Sequence, residues 1–349
     1  MTHQTPIGTE RGSPRAAALT ITRVNPLEHA DEIKRLFLAH ERPEFPAFFD
    51  RSYAAAVAEG AWSCVGRDDS GQLRAHIVQF PRRMTFDGRA VRGALLGNLM
   101  VATAHRTFWP GATLMRRLVT ELQQSGSVDL LYADPNEAAR PVAEAGGMRY
   151  VGSLRRFVLP LTDRRPGIGF AVRMYRRVKR LQATALPLLV TEQGPDHAPA
   201  AIVPVGDARS LRPVRTEAIY RGRLAGYPAP GDRWYVCRQR GATGGPVGRA
   251  LTRGPDARGV VALCAWDCEP LTLLSSMLMA LGDQLRQRGG ERLEAWIMGA
   301  SRAEGEFRRA GFLPREEQVP IVARAFTPLG TEVVGAVPEW RVLPVDLDR

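Results

Sequence analysis

The part of the sequence with the clearest chemical potential is residues 98–113, which read NLMVATAHRTFWPGAT. An apolar strand leads here into a short polar loop and then into a helix. The first turn of a helix presents N–H groups without intrahelical acceptors and carries partial positive charge, so it suits a pyrophosphate. Arg106 adds a cation at the loop entrance, and Gly111 and Ala112 are small where the backbone would approach phosphates. This pattern predicts a diphosphate site at a helix N-terminus.

Two side chains at the ends of neighbouring predicted strands are candidates to move a proton. His105 follows strand 90–104, and Asp134 follows strand 129–133. A side chain that accepts a proton from a substrate, directly or through water, can act as a general base. The alternatives are a solvated loop histidine and an aspartate that initiates a turn before proline. Tyr132 and Tyr150 are candidates to donate a proton as general acids. His40, Glu41 and Glu44 are candidates to line the pocket of the acceptor substrate.

The composition is that of a globular protein without a membrane segment or a metal site. Of 349 residues, 44% are hydrophobic and 24% are charged, which is within the normal range. Residues 1–16 contain little apolar material, so they are predicted to form a disordered tail without the apolar core of a signal peptide. No run reaches the roughly 20 apolar residues that span a bilayer. The four cysteines lack metal-ligand spacing, so we expect no metal and a cytoplasmic location.

The chain is strongly basic, with 48 cationic and 36 anionic side chains, a net charge of +12 and a sequence pI near 10.3. Such a balance can favour nucleic acid or anionic membranes. The cations are dispersed and nearly all arginine, since only Lys34 and Lys179 are lysines, and no zinc-finger spacing or Arg/aromatic interleaving is present. We therefore expect no nucleic-acid partner, and at most a weak membrane-surface contact through residues 170–181. An anionic small ligand benefits from the same field.

The spacing of apolar residues predicts a mixed α/β fold. Asp87-Gly88 between two extended runs predicts a tight hairpin. Leu114, Leu118 and Leu122 recur every fourth residue, which predicts an amphipathic helix. In the first half, the predicted strands are 17–24, 62–67, 73–86, 90–104, 129–133 and 154–161. The predicted helices are 26–59, 112–124 and 136–145. A break is expected in the first of them near Pro43 and Pro46, and Pro141 is expected to kink the third or to delay its start.

The second half repeats this plan. Asp129 lies 18 residues before Gly147, and Leu293 lies 18 residues before Gly311, as expected of two copies of one fold. The predicted strands there are 234–238, 247–252, 260–266, 293–298 and 319–326, and the helices are 271–288 and 302–310. The predicted organisation is a disordered tail, a first unit, a basic linking helix and a second unit: 1–16, 17–163, 164–190 and 191–349.

The loop in residues 98–113 resembles the phosphate loop of the GCN5-related N-acetyltransferase (GNAT) superfamily, which reads Gln/Arg-x-x-Gly-x-Gly/Ala. Arg106 matches the first position of that motif and Gly111 the last. Trp109 stands where the middle glycine is expected, and Pro110 lacks an N–H donor. The resemblance implies that the loop binds the diphosphate of an acyl-coenzyme A, with acetyl-CoA as the favoured cosubstrate.

A second similarity to this family follows strand 129–133. Family members show Asn-x-x-Ala and then Gly-Phe, and this chain has Asn136-Glu137-Ala138-Ala139 and then Gly147-Met148. By resemblance, Asn136 contacts the pantetheine arm, and the alternative is that Asn136 is a plain helix cap. The tyrosine that often protonates the leaving thiolate falls at Ala143. The residues that the resemblance assigns to the cosubstrate are Val101, Ala102, Arg106, Thr107, Phe108, Trp109, Gly111, Ala112, Thr113 and Asn136.

The resemblance implies an α/β mixed sheet made of two GNAT-like acyl-CoA N-acyltransferase folds in tandem, the second one degenerate. It also implies that a backbone N–H near Val101 or Ala102 polarises the thioester carbonyl. In the second half, the loop position reads AWDCEP over residues 265–270, with two carboxylates and no glycine. Negative charge repels a pyrophosphate, so we expect that the second copy does not bind coenzyme A.

These observations predict an acyl-CoA-dependent N-acyltransferase, with acetyl as the favoured group, that acts on an amine of a small molecule or amino sugar. The amine is expected to attack the thioester directly, which requires a positioned amine, a donor to the oxyanion and a route for protons. A catalytically inactive tandem module that serves as a scaffold or regulator is the alternative, and Ala143 and Trp109 favour it. A nucleic-acid binder is a third hypothesis, which rests on the pI alone.

Overall fold

The computed structural model describes residues 19–40, 42–162, 188–194, 210–215, 217–224, 227–241, 244–337 and 340–347, together with Met174 and Val178. The predicted tail, Glu41 and most of the predicted linking helix, including nearly all of 170–181, lie outside these residues. At the end of the predicted linking helix, residues Leu188–Gln193 form a strand.

The described residues form the mixed α/β fold that the sequence predicts. The strands are β1 Thr20–Val24, β2 Trp62–Arg67, β3 Leu73–Phe86, β4 Arg89–Val101, β5 Leu130–Ala133, β6 Arg149–Pro160, β7 Leu188–Gln193, β8 Arg212–Pro213, β9 Arg233–Gln239, β10 Gly248–Arg253, β11 Val260–Cys268, β12 Arg292–Met298 and β13 Leu313–Ala325. The α-helices are α1 Ala30–Leu38, α2 Phe45–Ala58, α3 Phe108–Ser125, α4 Arg140–Ala145, α5 Glu217–Arg223, α6 Leu274–Gln287, α7 Arg302–Arg309 and α8 Pro328–Gly335. Short 3-10 turns cover Pro26–His29, Thr103–His105, Leu271–Leu273 and Pro344–Leu347.

These strands form one continuous sheet. Its order is β1-β2-β3-β4-β5-β13-β6-β12-β11-β10-β9-β7, and β8 pairs with β3 beside this path. The pairs β4–β5 and β11–β12 are parallel, and each is connected through a helix, α3 in the first half and α6 in the second. The other pairs along the path are antiparallel.

The closing strands of the two halves are exchanged. The runs β4-α3-β5-α4-β6 and β11-α6-β12-α7-β13 have the same order of elements. However, the whole length of β12 pairs with β6. Strand β13 lies between β5 and β6, with Val322 opposite Ala133. The predicted repeat is therefore visible in the order of elements, while the division into two units stays a prediction, because the sheet crosses it without a break.

The predicted hairpin and the central helix are confirmed, with one shifted boundary. Asp87 and Gly88 both have positive φ, 52° and 70°, as a two-residue turn between twisted strands requires. Helix α3 begins at Phe108 rather than at residue 112, because Pro110 falls in the first turn, where its missing N–H has no intrahelical acceptor to lose. Its buried stripe is the predicted one: Leu114, Leu118 and Leu122.

Helices cover both faces of the first half of the sheet. Successive side chains of a strand point to opposite faces, and Leu95 and Leu96 of β4 accordingly belong to different cores. Leu95 packs with the rings of α1 and α2, and Leu96 packs with α3. The first core holds an aromatic cluster in which Phe37 and Phe45 stack at 3.5 Å between ring centroids. The strand β4 is thus fixed from both sides at the point where the site described below begins.

Candidate active site

The site is a gap between two parallel strands. Pairing of β4 with β5 covers only three residue pairs, from Gly93–Leu130 to Leu95–Tyr132, although β4 continues to Val101. Beyond Leu95, a cavity of about 740 Å³ separates the two strands. Residues 95–100 line one side of it and residues 133–136 line the other. The backbone of β4 that faces β5 is therefore available to a ligand over this stretch.

A bulge shapes the β4 side of the gap. The register with β3 shifts between His76–Met100 and Val78–Gly97, so Asn98 and Leu99 together oppose one residue of β3. Asn98 has φ of 52°, a left-handed conformation that asparagine tolerates better than most residues. The bulge turns the local backbone away from a regular ladder and into the cavity wall.

Three buried side chains hold this bulge in place. Nδ1 of His76 lies 3.0 Å from the carbonyl oxygen of Asn98, and Nε2 lies 3.0 Å from Oγ of Ser63. The Asn98 amide donates to the hydroxyl of Tyr53 at 2.9 Å. Burial lowers the pKa of His76 to about 4, so its ring is neutral near pH 7. Sequence analysis missed this group, whose signal is a single histidine within the apolar strand β3.

The predicted diphosphate loop lies at the start of α3. Arg106 directs Nε to the carbonyl of Val101 at 3.3 Å and has Nη2 3.8 Å from Sδ of Met100, which lines the cavity. Arg106 makes no ion pair with the residues that the structure describes. Thr107 is the N-cap, and its side chain forms no capping hydrogen bond. Arg106 thus precedes the first turn of α3 without a charged partner among the described residues, and its contact with a diphosphate stays a prediction.

The aromatic residue in the loop does not close it. Trp109 is 63% exposed and contacts Phe108 edge-on at 5.4 Å between ring centroids. Thr113 lies one turn further along α3, and its hydroxyl donates to the carbonyl of Trp109 at 2.9 Å. The indole therefore lies on the surface at the N-terminus of α3 and leaves the gap between the strands open.

Two small residues of the loop serve helix packing. A Cβ atom added to Gly111 would lie 3.2 Å from Cγ1 of Val142 in α4. The next residue, Ala112, is fully buried. Both positions are therefore closely packed against neighbouring elements, and their approach to phosphates stays a prediction.

The predicted oxyanion donor is partly committed elsewhere. The N–H of Ala102 donates to the carbonyl of Arg74 at 2.7 Å, so it is not available to a ligand. Val101 and Ala102 are also not among the residues that line the cavity. The β4 backbone at the cavity wall is residues 95–100, which places the candidate donor several residues earlier than expected.

Asn136 lies in the cavity wall and also caps a turn. Its Oδ1 accepts from the N–H of Ala139 at 2.8 Å, and its carbonyl accepts from Arg140 at 3.0 Å. The side-chain oxygen therefore does the capping that was the alternative interpretation, and its amide nitrogen is left for a ligand. Ala139 and Ala143 line the same wall, so the position of the family's tyrosine is occupied by a methyl group.

The two candidate bases are placed differently. Asp134 lines the cavity, whereas His105 is half-buried and not among the lining residues. His40 accompanies the loop instead, because its Nδ1 lies 3.0 Å from Oγ1 of Thr103. Burial and then the charge of Arg106 lower the pKa of His40. Asp134 is therefore the candidate base that the fold brings to the gap.

Neither candidate tyrosine is a lining residue of the cavity. Tyr132 is buried and donates its hydroxyl to the carbonyl of Asp346 at 3.2 Å. Tyr150 is exposed, and its hydroxyl lies 2.9 Å from Oγ of Ser153. The structure therefore places no tyrosine hydroxyl on the wall of the cavity among the residues it describes.

The opposite wall of the cavity is aromatic and charged, and sequence analysis found only one of its residues. One face of helix α2 lines the cavity, together with its N-cap residue Glu44, which the sequence proposed for the acceptor pocket. The wall also contains four rings, two arginines and a leucine from the C-terminal turn: Phe37, Phe45, Phe48, Phe80, Arg42, Arg51 and Leu347. The helical spacing of residues 44, 47, 48 and 51 was the available signal.

The corresponding loop of the second half is filled by ion pairs. Asp267 pairs with Arg249 at 2.8 Å and with Arg215 at 3.5 Å, and Glu269 pairs with Arg341 at 2.6 Å. All three arginines are buried. The expectation that this half does not bind coenzyme A stays a prediction, and these contacts give it a second physical reason besides charge repulsion.

The described residues contain no helix long and apolar enough to cross a membrane. Within the same residues, no group of three or more histidine, cysteine, aspartate or glutamate side chains is arranged to hold a metal ion.

Comparisons with known proteins identify the fold. No protein-family model and no curated protein matches the sequence. A conserved protein from Enterococcus faecalis V583, described as a probable N-acyltransferase, is a structural neighbour with 13% identity and a TM-score of 0.62, covering 89% of this chain and 73% of that one. A GCN5-related N-acetyltransferase from Anabaena variabilis ATCC 29413 has 9% identity and a TM-score of 0.61, covering 89% and 74%. One from Kribbella flavida has 13% identity and a TM-score of 0.59, covering 88% and 72%.

Proposed function

We propose that this chain, whose fold is that of the GCN5-related N-acetyltransferases, is an acyl-CoA-dependent N-acyltransferase that transfers an acetyl group to an amine of a small molecule or amino sugar. The observation that carries the proposal is the gap between β4 and β5 beyond Leu95. A gap between two parallel strands offers backbone hydrogen bonds to an extended ligand arm. Its position next to the N-terminus of α3 suits a molecule with a diphosphate at one end and a thioester at the other.

Binding of the acyl donor uses groups at the start of α3 and in the wall of the gap. Arg106 and the first N–H groups of α3 receive the diphosphate, because anions are stabilised at a helix N-terminus. The amide nitrogen of Asn136 receives the pantetheine arm. A backbone N–H at the bulge near Asn98 polarises the thioester carbonyl, since a fixed donor stabilises the charge that develops on this oxygen.

The chemical step is a direct attack. The nitrogen of the acceptor amine forms a bond to the thioester carbon, and the carbon–sulfur bond then breaks to release the thiolate. Asp134 accepts the proton from the amine, directly or through water, and solvent protonates the thiolate because Ala143 cannot. The amine enters from the side of α2, where Glu44 and the aromatic wall lie.

Isothermal titration of the full-length chain with acetyl-CoA tests the proposal. We expect micromolar binding that weakens with salt and an Arg106→Met variant that binds about tenfold more weakly, because one charge-assisted contact is lost. Arg35→Met is the matched control, since this exposed arginine on α1 is not among the lining residues of the cavity. Absence of binding at millimolar acetyl-CoA contradicts the proposal.

A second candidate is an inactive module that binds the cosubstrate as a scaffold or regulator. The methyl group of Ala143 in place of a thiolate acid favours it. Free thiol release, measured with acetyl-CoA and a panel of amines, separates the two functions. Turnover with any amine supports the transferase, and binding without turnover across the panel supports the scaffold.

A further inference from the structure

We propose that the cavity takes an acceptor amine that also carries an anionic group, a carboxylate or a phosphate, and that Arg51 recognises this anion. The inference deepens the proposed function and rests on it for the role of the amine. The binding of the anion can be tested without any acyl transfer.

Helix α2 directs Arg51 at the cavity. Glu44, Ala47, Phe48 and Arg51 are spaced by three or four residues, so they share one face of the helix, and all four line the cavity. The opposite face of α2 is buried against the core through Phe49 and neighbouring side chains. The packing of that face fixes the orientation of the helix, so the side chain of Arg51 leaves it on the cavity side.

Arg51 has no protein partner for its charge among the residues that the structure describes. Its Nε is buried without an acceptor, and its contact with the protein is the ring of Phe48, 5.9 Å from the guanidinium carbon. The other cation in the cavity wall, Arg42, pairs with Glu44 at 3.6 Å. The acid next to Arg51 in sequence, Asp50, is bound by Lys34. Arg51 is therefore the cation of this wall that is left for a ligand.

The surroundings of Arg51 make an anion more favourable there. A buried donor without an acceptor is costly, and a ligand oxygen removes that cost. The neighbouring wall consists of rings, Phe37 and Phe45 stacked together and Phe48 at 6.1 Å from Phe45. Rings displace water and lower the local dielectric constant, which strengthens a guanidinium–anion pair. A planar guanidinium matches the two oxygens of a carboxylate or phosphate.

The cavity also contains the opposite charge. Glu44 and Asp134 line it on the two sides of the gap, and carboxylates attract a protonated amine. An acceptor with an ammonium at one end and an anion at the other therefore complements both sets of groups. This excludes simple alkylamines as the preferred class and favours amino acids or phosphorylated amino sugars, which share an anionic oxygen group.

Two matched pairs of probes test the inference by isothermal titration of the full-length chain without acyl donor. Phenylalanine is compared with phenylalaninamide, and glucosamine 6-phosphate with glucosamine. We expect at least one probe that carries the anionic group to bind tenfold or more tightly than its partner without that group, a difference that corresponds to one ion pair in a partly desolvated site. The pair that shows the preference tells whether the anion is a carboxylate or a phosphate.

Variants assign the preference to Arg51. We expect Arg51→Met to reduce it to about threefold or less and Arg51→Lys to keep part of it, because lysine retains the charge but not the fork of donors. Arg35→Met, which removes an exposed charge from α1, is expected to leave it unchanged. Thermal unfolding of each variant shows that it is folded.

Three results overturn the inference: equal affinity within both pairs, an unchanged preference in Arg51→Met, or no binding of any probe to the native chain at millimolar concentration. The titration with acetyl-CoA is independent of these results. If the chain binds anionic amines through Arg51 but does not bind acetyl-CoA, this inference stands and the proposed transferase activity is contradicted. If the chain binds acetyl-CoA but shows no preference for anionic amines, the proposed activity stands and this inference is contradicted.

Discussion

His76 donates its Nδ1–H to the carbonyl oxygen of Asn98 across 3.0 Å. A carbonyl oxygen can only accept, so Nδ1 carries the proton and Nε2 accepts from the hydroxyl of Ser63. The bond joins β3 to the bulge of β4, whose backbone lines the gap between the strands. A buried imidazole that is not itself among the lining residues thus helps to determine the shape of one cavity wall.

Removing this imidazole is expected to weaken both the fold and the binding of acetyl-CoA. His76→Leu leaves the Asn98 carbonyl and the Ser63 hydroxyl without partners, which costs about 1–3 kcal/mol of unfolding free energy. We expect about tenfold weaker binding because the bulge relaxes. His76→Asn, whose amide can donate to the same carbonyl, should keep most of the affinity. Urea denaturation and calorimetry measure the two effects, and full affinity in His76→Leu contradicts the positioning role.

The same histidine is expected to destabilise the protein in acid. The folded chain holds the pKa of His76 at about 4 through burial, while the unfolded chain binds this proton near pH 6.5. The unfolded state therefore takes up more protons as the pH falls from about 6.5 to about 4, and the free energy of unfolding falls by on the order of 3 kcal/mol. Urea denaturation at several pH values measures this slope. His76→Asn should show a shallower slope in this window, and an equal slope would refute the assignment.

Substitutions at Gly111 distinguish helix packing from phosphate contact. In Gly111→Ala, the new Cβ lies 3.2 Å from Val142, and the gain in helix propensity of up to about 1 kcal/mol offsets this crowding, so stability should change little. Gly111→Glu should lose about 2–3 kcal/mol because a long side chain cannot fit between α3 and α4. Thermal unfolding is the measurement. A fully stable Gly111→Glu that no longer binds acetyl-CoA would instead place this glycine at the phosphates.

The ion pair between Arg215 and Asp346 is expected to hold the C-terminal turn. Arg215 Nη2 lies 2.6 Å from Asp346 Oδ2, and both side chains are buried. Removing one partner of a buried pair costs about 3–5 kcal/mol, so Arg215→Met should lower the urea midpoint strongly. Arg89→Met is the control, because its pair with Glu332 is exposed and should contribute under about 1 kcal/mol. Similar losses of unfolding free energy in the two variants would show that burial does not determine how much this ion pair contributes to stability.

Loss of Arg51 is expected to leave the fold as stable as before, or more stable. Its Nε is buried without an acceptor, and methionine of similar length removes this donor while retaining the apolar contact with Phe48. We expect Arg51→Met to raise the unfolding free energy by up to about 1 kcal/mol. A loss of more than about 2 kcal/mol in urea would indicate that Arg51 has a structural role, which the described contacts do not contain.

Local patterns were sufficient for most of the elements. Strands 62–67 and 73–86 and the Asp87-Gly88 turn follow from alternation and turn chemistry, which act over a few residues. The predicted start of α3 was four residues too late. The prediction placed the helix after Pro110, but a helix tolerates proline in its first turn. The bulge at Asn98 was missed, since a two-against-one pairing depends on the partner strand.

The features of the candidate site also fall into those that the sequence predicts and those that only the structure reveals. The sequence by itself determined the order of strands and helices from β1 to β6, the placement of Arg106 just before α3, and the position of Asn136 after β5, because each depends on residues close together in the chain. Only the tertiary structure decided that β13 enters between β5 and β6, that Ala102 is hydrogen-bonded to Arg74, and that Arg51 and Asp134 line one cavity. These facts arise from strands and helices far apart in sequence, whose packing against each other no local pattern records.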